Sequence, residues 1–145
     1  YGIWFRGYDT LYLTNCDSYD HCDTLRADGE IGNRSDGFQI SSGSDVGDYT
    51  YIYGCRGWNN SDDGMEVSTG RECYVINCWM FNNGRFDHGA GTGFKYGPAY
   101  EKSFDKRITR NCIAANNKGN GYSDQNLQSD TDGPIQHFYN NNSCL

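Results

Sequence analysis

Three carboxylates crowd into five residues of the chain, within the stretch SDDGMEVSTG that spans residues 61–70. They belong to Asp62, Asp63 and Glu66. Like charges so close together destabilise one another, so either some of these carboxyl groups keep their protons at neutral pH or a cation binds among them. Hard oxygen ligands in this number suit Ca²⁺, which takes about 6–8 oxygen atoms and tolerates irregular geometry. An isolated SDDG sequence is more often a solvated turn, so the groups that lie beside it in space decide its role.

The acidic stretch has three relatives elsewhere in the chain. Each places a glycine before a large apolar or aromatic residue, and the glycines are 27, 29 and 28 residues apart. The four segments are SDGFQIS (35–41), DDGMEVS (62–68), GTGFKYG (91–97) and GNGYSDQ (119–125). A second set of segments aligns on Cys16, Cys55, Cys78 and Cys112. Short β-like runs that recur with Asn/Gly turns are typical of a solenoid, in which each repeat buries its apolar face by stacking on its neighbours.

The repeat predicts an all-β fold, a parallel β-helix of about four to five coils with roughly 28 residues each. An antiparallel sandwich gives no reason for matched residues at a fixed period, and a propeller blade needs about 40 residues or more. We expect residues 1–145 to form a single β-helix domain. Because open coil ends expose unpaired strand edges, we also expect this domain to be part of a longer chain or assembly, or to associate end to end.

Stacking turns equivalent positions into columns that run along the solenoid. The predicted inward column is Phe38, Met65, Phe94 and Tyr122. Asp36 and Asp63 occupy the same place relative to their glycines, so they should lie on adjacent coils about 4.7–4.9 Å apart. This stacking adds a fourth acid to the cluster and favours calcium binding over a solvated turn.

An outward column is predicted one residue after the inward one. Its members are Gln39, Glu66, Lys95 and Ser123. Glu66 and Lys95 are therefore neighbours on successive coils, and their simplest role is a cross-strand ion pair that stabilises the fold by at most about 1 kcal/mol. The alternative is that Lys95 acts as a base beside the metal site, which requires its pKa to fall from an ordinary value of about 10.4.

The cysteine column is compatible with two arrangements. The thiols can pack as small buried hydrophobic groups, or they can form disulfides between coils. The asparagines that precede three of these cysteines are predicted to form a ladder in which side-chain amides bond one another along the axis. These asparagines are Asn15, Asn77 and Asn111.

Composition excludes some partners and favours a compartment. A formal net charge of −7 with only 12 Lys and Arg argues against nucleic acid, because a phosphate backbone requires a basic surface. No apolar run approaches the ~20 residues that a membrane-spanning helix needs. Seven cysteines favour an oxidising compartment, so we expect a secreted, extracellular protein. The three histidines, His21, His88 and His137, are too scattered to suggest a catalytic cluster.

Six motifs occur in an order that resembles one enzyme family. They are NCDSYD (15–20), SDGFQIS (35–41), WNNSDDGMEV (58–67), GTGFKYG (91–97), RNCIAANNKGNGYSDQN (110–126) and FYNNN (138–142). Together they resemble the family 9 polysaccharide lyases, which are right-handed parallel β-helix pectate lyases, over a span from about residue 11 to the end of the chain.

The resemblance implies a calcium site and a base. Carried over residue by residue, it makes Asp36, Asp62, Asp63 and Glu66 the calcium ligands and Lys95 the base. Glu66 departs from the aspartate of the family pattern by one methylene group. The implied reaction is β-elimination on an acidic polysaccharide, a polyuronate such as pectate. Basic groups that are candidates for holding further carboxylates, or else plain surface charges, are Arg56, Arg85 and Lys118.

A different class of function fits the same repeat. A non-catalytic extracellular β-helix would act as a carbohydrate-binding module or as a structural, filament-forming module, because open solenoids stack end to end. The discriminating observation is a calcium-dependent lyase signal on polygalacturonate, which a structural module does not give.

Overall fold

The computed structural model describes residues 1–25, 27–41, 49–68, 72–97, 106–125 and 135–144. Within these ranges the chain forms fifteen short strands, numbered in chain order, which make three parallel sheets of five strands. Sheet A contains, in spatial order, β1 (Ile3–Arg6), β4 (Phe38–Ser41), β7 (Met65–Ser68), β10 (Phe94–Tyr96) and β13 (Tyr122–Asp124). Sheet B contains β2 (Thr10–Thr14), β5 (Tyr49–Tyr53), β8 (Cys73–Ile76), β11 (Lys106–Arg110) and β14 (Ile135–Tyr139). Sheet C contains β3 (Asp17–Tyr19), β6 (Arg56–Trp58), β9 (Trp79–Phe81), β12 (Ile113–Ala115) and β15 (Asn142–Cys144).

Each turn of the chain adds one strand to sheet A, then one to sheet B and one to sheet C. Strands β1 to β3 form the first coil and β13 to β15 the fifth, and every strand pairs in parallel with its counterparts on the neighbouring coils. This arrangement confirms the prediction of an all-β, right-handed parallel β-helix. The inward column is also confirmed, because Phe38 pairs with Met65, and Phe94 pairs with both Met65 and Tyr122.

The length of a coil is less regular than the predicted period of 28 residues. Just before sheet A, residues that are hydrogen-bonded to each other from neighbouring coils are separated by 27 and 29 residues in sequence. Within and just after sheet C, hydrogen-bonded residues at matching positions on neighbouring coils are separated by 39, 23 and 34 residues. The connections on both sides of sheet A absorb the difference. Those from sheet C to sheet A vary most, since they run from Tyr19 to Phe38, from Trp58 to Met65 and from Phe81 to Phe94. Those from sheet A to sheet B vary less and run from Ser41 to Tyr49, from Ser68 to Cys73 and from Tyr96 to Lys106. Connections can change length without disturbing strand register, because they lie outside the hydrogen-bonded ladder.

Alternating side chains fill the interior of the solenoid. Phe38, Met65 and Phe94 are at most 1% exposed, and the ring of Phe94 stacks on that of the half-buried Tyr122 with centroids 5.1 Å apart. Further apolar residues on all three sheets complete one continuous core: Ile40, Val67, Tyr96, Ile52, Val75 and Met80. Full burial of each large side chain stabilises the fold by about 1.5–3 kcal/mol relative to exposure, so the three-sided core holds the strands that carry the site.

The turn from sheet B to sheet C requires an unusual backbone conformation. Asn15, Gly54, Asn77 and Asn111 occupy this turn on successive coils, with φ between 53° and 63°. Glycine has no Cβ to clash in this left-handed region, and asparagine tolerates it better than other residues do. The recurrence of Asn or Gly before each cysteine therefore follows from the geometry of the turn.

A ladder of side-chain amides is present, but the asparagines that precede the cysteines do not form it. It is formed by buried residues after sheet C, where Asn60 Nδ2 donates to Asn83 Oδ1 at 3.0 Å and Asn83 Nδ2 donates to Asn117 Oδ1 at 2.9 Å. Each of these amides also donates to a backbone carbonyl. The left-handed turn exposes the side chains of the predicted ladder, whereas a buried amide must find partners inside the protein.

The seven cysteines, all of which lie in the described ranges, are free thiols. Cys55, Cys78 and Cys112 are fully buried, and the thiol of each donates to the backbone carbonyl two residues earlier. The sequence allowed either packed thiols or disulfides between coils, and the structure has thiols. Among the described residues, none belongs to a helix with the length and apolar character needed to cross a bilayer.

Candidate metal and catalytic site

Two buried aspartates lie side by side where sheet C leads into sheet A. Asp36 precedes β4 and Asp63 precedes β7, and they are 2% and 0% exposed. The backbone N–H of Asp63 donates to Asp36 Oδ1 at 3.1 Å, and the N–H of Gly37 donates to the carbonyl of Asp63 at 2.9 Å. The stacking of Asp36 on Asp63, deduced from the repeat, is therefore present.

Glu66 completes a cluster of three acids. One carboxylate oxygen each from Asp36, Asp63 and Glu66 lies within 4.8 Å of the other two. Glu66 is on β7 and directly faces Lys95 on β10. Lys95 Nζ lies 2.8 Å from Glu66 Oε2 and 3.1 Å from Asp63 Oδ2, so the lysine caps the cluster. Parallel pairing brings these groups together, although 29 residues separate Glu66 from Lys95 in sequence.

The fourth predicted acid, Asp62, is buried beside the cluster but is engaged differently. Its Oδ2 accepts the backbone N–H of Arg34 at 2.6 Å, and its Oδ1 accepts the backbone N–H of Ala90 at 2.7 Å. Hydrogen bonds to an ionised carboxylate are stronger than those between neutral groups. Asp62 therefore fastens two connecting segments, one from the preceding coil and one from the following coil, to the edge of the site.

Burial and mutual repulsion set the protonation of the two stacked acids. Burial, followed by the charges of Asp63 and Asp62, raises the pKa of Asp36 to about 8. Burial also raises the pKa of Asp63, against the opposing effect of Lys95. Without a bound cation, the folded protein therefore keeps Asp36 largely protonated at neutral pH.

Lys95 is held in its charged form by its acidic neighbours. Burial alone would lower the pKa of Lys95, but Asp63 and Glu66 together outweigh burial and raise this pKa above its ordinary value. The ammonium group thus serves as the positive partner of the carboxylates.

The chemistry of the cluster fits a hard divalent cation. Asp63 Oδ2 is buried and accepts no hydrogen bond of acceptable geometry from the described residues, although Lys95 Nζ is 3.1 Å away. A buried carboxylate oxygen without a hydrogen bond is costly, and a metal ion would satisfy it. Carboxylate oxygens from Asp36, Asp63 and Glu66 are the donors that Ca²⁺ prefers.

A cavity of about 290 Å³ opens over the cluster. Asp36, Asp62, Glu66 and Lys95 line it, and its lining also includes Tyr1, Trp4, Arg34, Gln39 and Ser68. Sequence reasoning missed Trp4 and Arg34 as part of this cavity. The signal for Trp4 was present, because Gly2 and Ile3 repeat the pattern of a glycine before a large apolar residue, and Ile3 pairs with Phe38. The glycine of that copy precedes the next one by 35 residues, whereas the other glycines are 27 to 29 residues apart.

The other basic candidates are engaged away from the cavity. Arg56 makes two hydrogen bonds of 2.7 Å to the carboxylate of Asp17, and Arg85 Nη1 lies 2.9 Å from Asp20 Oδ1. The Nζ of Lys118 donates to three backbone carbonyls of one connecting segment. None of the three lines the cavity of about 290 Å³, and Arg34 is the arginine that does.

The fold and the cluster define a class of protein: a right-handed parallel β-helix in which a lysine and three carboxylates converge on sheet A and on the turns that lead into it. A family model described as the right-handed β-helix region of Pel9A-like proteins matches residues 2–144. The chain therefore belongs to the Pel9A-like β-helix family.

Two relatives of the chain are pectate lyases. The chain is 34% identical over 121 residues to pectate lyase L of Dickeya dadantii (strain 3937), and equally to pectate lyase L of Dickeya chrysanthemi. Each match covers 79% of this chain and 26% of the relative, so the chain spans about a quarter of the curated relatives it matches. The crystal structure of pectate lyase Pel9A superimposes with a TM-score of 0.55 at 23% identity, over 96% of this chain and 39% of that one. The structural likeness supports the fold.

Proposed function

We propose that this chain carries the catalytic centre of a calcium-dependent polysaccharide lyase, which cleaves an acidic polyuronate such as pectate by β-elimination. The observation that supports this function best is the placement of Lys95 Nζ, 2.8 Å from Glu66 and 3.1 Å from Asp63, in the lining of an open cavity. The pectate lyases among the relatives agree with it. Secretion and an acidic polysaccharide as partner belong to the same proposal.

Asp36, Asp63 and Glu66 would hold the calcium ion, and Asp62 would add charge while it fixes the two segments at the edge of the site. A bound calcium ion supplies Lewis acidity, which withdraws charge from the uronate carboxylate and acidifies the proton on C5. Glu66 reaches the cluster from β7 with one methylene more than an aspartate has. Its oxygen nevertheless lies within 4.8 Å of the aspartate oxygens.

Lys95 would be the base. The carboxylates that now raise its pKa would be neutralised by the cation, and burial would then lower the pKa towards the range in which the neutral amine forms. The amine takes the C5 proton, the electron pair of the C5–H bond forms the C4–C5 double bond, and the C4–O bond breaks. The departing sugar oxygen takes that bonding pair and is protonated by solvent. The product is an unsaturated uronate at the new non-reducing end.

The test is a lyase assay on polygalacturonate, followed by the ultraviolet absorbance of the new double bond, with and without a calcium chelator. We expect Lys95→Met to lower the rate by at least about 10²-fold, since general-base catalysis contributes about 10²–10⁴-fold. Lys106→Met removes an exposed lysine from β11 and should leave the rate unchanged. Calcium binding measured by calorimetry should survive in Lys95→Met, which separates a lost base from a lost fold.

A non-catalytic extracellular β-helix is the second candidate, either a carbohydrate-binding module or a structural one that associates through its coil ends. The direct contacts of Lys95 with two carboxylates favour it, because they also describe a stable ion pair. If the folded chain binds calcium but gives no absorbance signal on polygalacturonate, this second function replaces the first.

A further inference from the structure

A second concave surface lies on a different corner of the coil from the acidic cluster. It is a trough of about 550 Å³ along the turn from sheet B to sheet C, well within the size range of small-molecule sites. Its lining is Asn15, Gly54, Arg56, Asn77, Trp79 and Asn111. The trough thus crosses four consecutive coils, roughly 14–15 Å from the first turn to the last at the usual strand spacing.

Gly54 is the smallest residue that lines the trough. The equivalent turn carries asparagine on the other three coils that line the trough, so Gly54 interrupts a row of side chains. The side chain of Asn15 leans over Gly54, because a Cβ added at Gly54 would clash with Asn15 Oδ1. At this point the trough is therefore lined by a glycine and by the tip of the exposed Asn15 side chain.

Trp79 offers an apolar platform in the lining of the trough. Its side chain is 49% exposed, and its indole ring stacks on no other aromatic ring in the described ranges. Trp58, on the neighbouring strand, is by contrast stacked between Tyr19 and Phe81. A half-exposed indole is suited to the apolar face of a sugar ring, whose C–H groups pack against aromatic surfaces.

The polar groups of the trough match hydroxyl groups and carry little net charge. The side-chain amides of Asn15, Asn77 and Asn111 are exposed and make no hydrogen bond within the described part of the chain. Each amide offers both donors and an acceptor, as a row of sugar hydroxyls requires. The charge of Arg56 is balanced by Asp17, whose carboxylate lies 2.7 Å away.

We propose that this trough binds a neutral oligosaccharide, with one ring on Trp79 and its hydroxyls on the amides of Asn77 and Asn111. A neutral glycan is favoured over an acidic one because the trough has no unbalanced cation and the chain carries a net charge of −7. The amides recur at the strand spacing, which is close to the length of one pyranose unit in an extended glycan. The trough would anchor the protein to a neutral polymer, independently of the acidic cluster.

The decisive variant is Gly54→Asn. Asparagine already occupies the equivalent turn on the other coils with the same sign of φ, so the backbone accepts this residue. Its side chain would displace the end of the Asn15 side chain and enter the trough. The Trp79→Ala variant removes the platform. Tyr12→Ala is the matched control, since Tyr12 is an aromatic residue on sheet B that is 71% exposed and lies outside the trough.

The experiment titrates the whole chain, in chelator, with cello-, galacto-, manno- and xylohexaose and with polygalacturonate, by tryptophan fluorescence and calorimetry. We expect at least one neutral hexaose to bind, with affinity reduced at least about tenfold in Gly54→Asn and Trp79→Ala and unchanged in Tyr12→Ala. Thermal unfolding shows that each variant is folded.

Three results would overturn the proposal: no neutral hexaose binds the unaltered chain, binding persists in Gly54→Asn, or polygalacturonate is the one ligand bound. The proposed lyase function is tested separately, because Gly54→Asn should retain lyase activity and Lys95→Met should retain hexaose binding.

Discussion

At the scale of single residues, Asp36 would connect protonation with metal binding in the proposed calcium site. It is 2% exposed, its Oδ1 accepts one backbone N–H, and its pKa is raised to about 8 by burial and by the neighbouring acids. A cation that enters the cluster must therefore displace the proton of Asp36 at neutral pH. Metal affinity in such a site depends on pH because the ligands must be deprotonated.

Calcium affinity should fall by about tenfold for each pH unit below about 8, because Asp36 must lose its proton. Calorimetry between pH 5.5 and about pH 8.5 in buffers of different ionisation enthalpy measures both the affinity and the protons released. In Asp36→Asn, binding should be weaker and its pH slope smaller. An affinity that does not change over this range would show that Asp36 is ionised before the metal binds.

Stability without calcium should depend on pH in the opposite sense to a salt-bridged carboxylate. The folded pKa of Asp36 is about 8 and the unfolded value is 3.8, so the folded state binds the extra proton between these two values. The free energy of unfolding therefore decreases as pH rises through this window, by at most about 1.4 kcal/mol per unit from this residue. Urea unfolding in chelator measures it, with Asp36→Asn as the comparison. A steeper loss in the variant than in the unaltered chain would contradict the assignment.

At the scale of elements, the strands set register and the turns between them hold the site together. Lys95 meets Glu66 because β10 and β7 are in register. The connecting segments are fastened by Asp62, by the amide ladder and by Lys118, whose Nζ caps three carbonyls. The site therefore depends on polar groups that touch neither the proposed cation nor a substrate.

Breaking the buried amide ladder should destabilise the β-helix. Asn83→Ala removes hydrogen bonds to Asn60, Asn117 and a backbone carbonyl, and it leaves buried partners unsatisfied. We expect a loss of about 2–4 kcal/mol in urea unfolding, because each unsatisfied buried group costs about 1–3 kcal/mol. Asn116→Gly keeps the left-handed turn and removes one exposed hydrogen bond to Asn82, so it should cost less than about 1 kcal/mol. Equal losses in the two variants would mean that the ladder is not a source of stability.

At the scale of the whole molecule, one core runs through five coils and encloses most of the thiols. Cys55, Cys73, Cys78 and Cys112 are buried, whereas Cys22 and Cys144 are exposed and Cys16 is intermediate. The solenoid therefore protects four of its cysteines by packing them, without cross-links.

Thiol labelling reads out this burial. With an aromatic disulfide reagent, Cys22 and Cys144 should react rapidly in the folded chain, and Cys16 more slowly. The remaining four should react only after denaturation, because a buried thiol must be exposed by unfolding before it can be attacked. Mass spectrometry of labelled peptides assigns each site. Fewer than seven reactive thiols in denaturant would reveal a disulfide and contradict the arrangement found here.

The sequence by itself determined the architecture and the neighbours of the acidic cluster. A glycine before a large apolar residue, repeated at nearly constant spacing, sufficed to place Asp36 beside Asp63 and Glu66 beside Lys95, because parallel strands in register bring equivalent positions together. It also supplied Asn or Gly at the left-handed turns from sheet B to sheet C. Irregular coils weakened this reasoning, and the copy that contains Trp4 was missed because its spacing differs.

Only the tertiary structure decided which partners each polar group takes. The sequence shows four acids, but folding directs the oxygens of Asp62 to the backbone of Arg34 and Ala90 and leaves Asp36, Asp63 and Glu66 to converge. It likewise places the amide ladder in the interior and the other asparagines at an exposed turn. Hydrogen-bond partners depend on side-chain direction and on segments that come from other coils, and a one-dimensional repeat specifies neither.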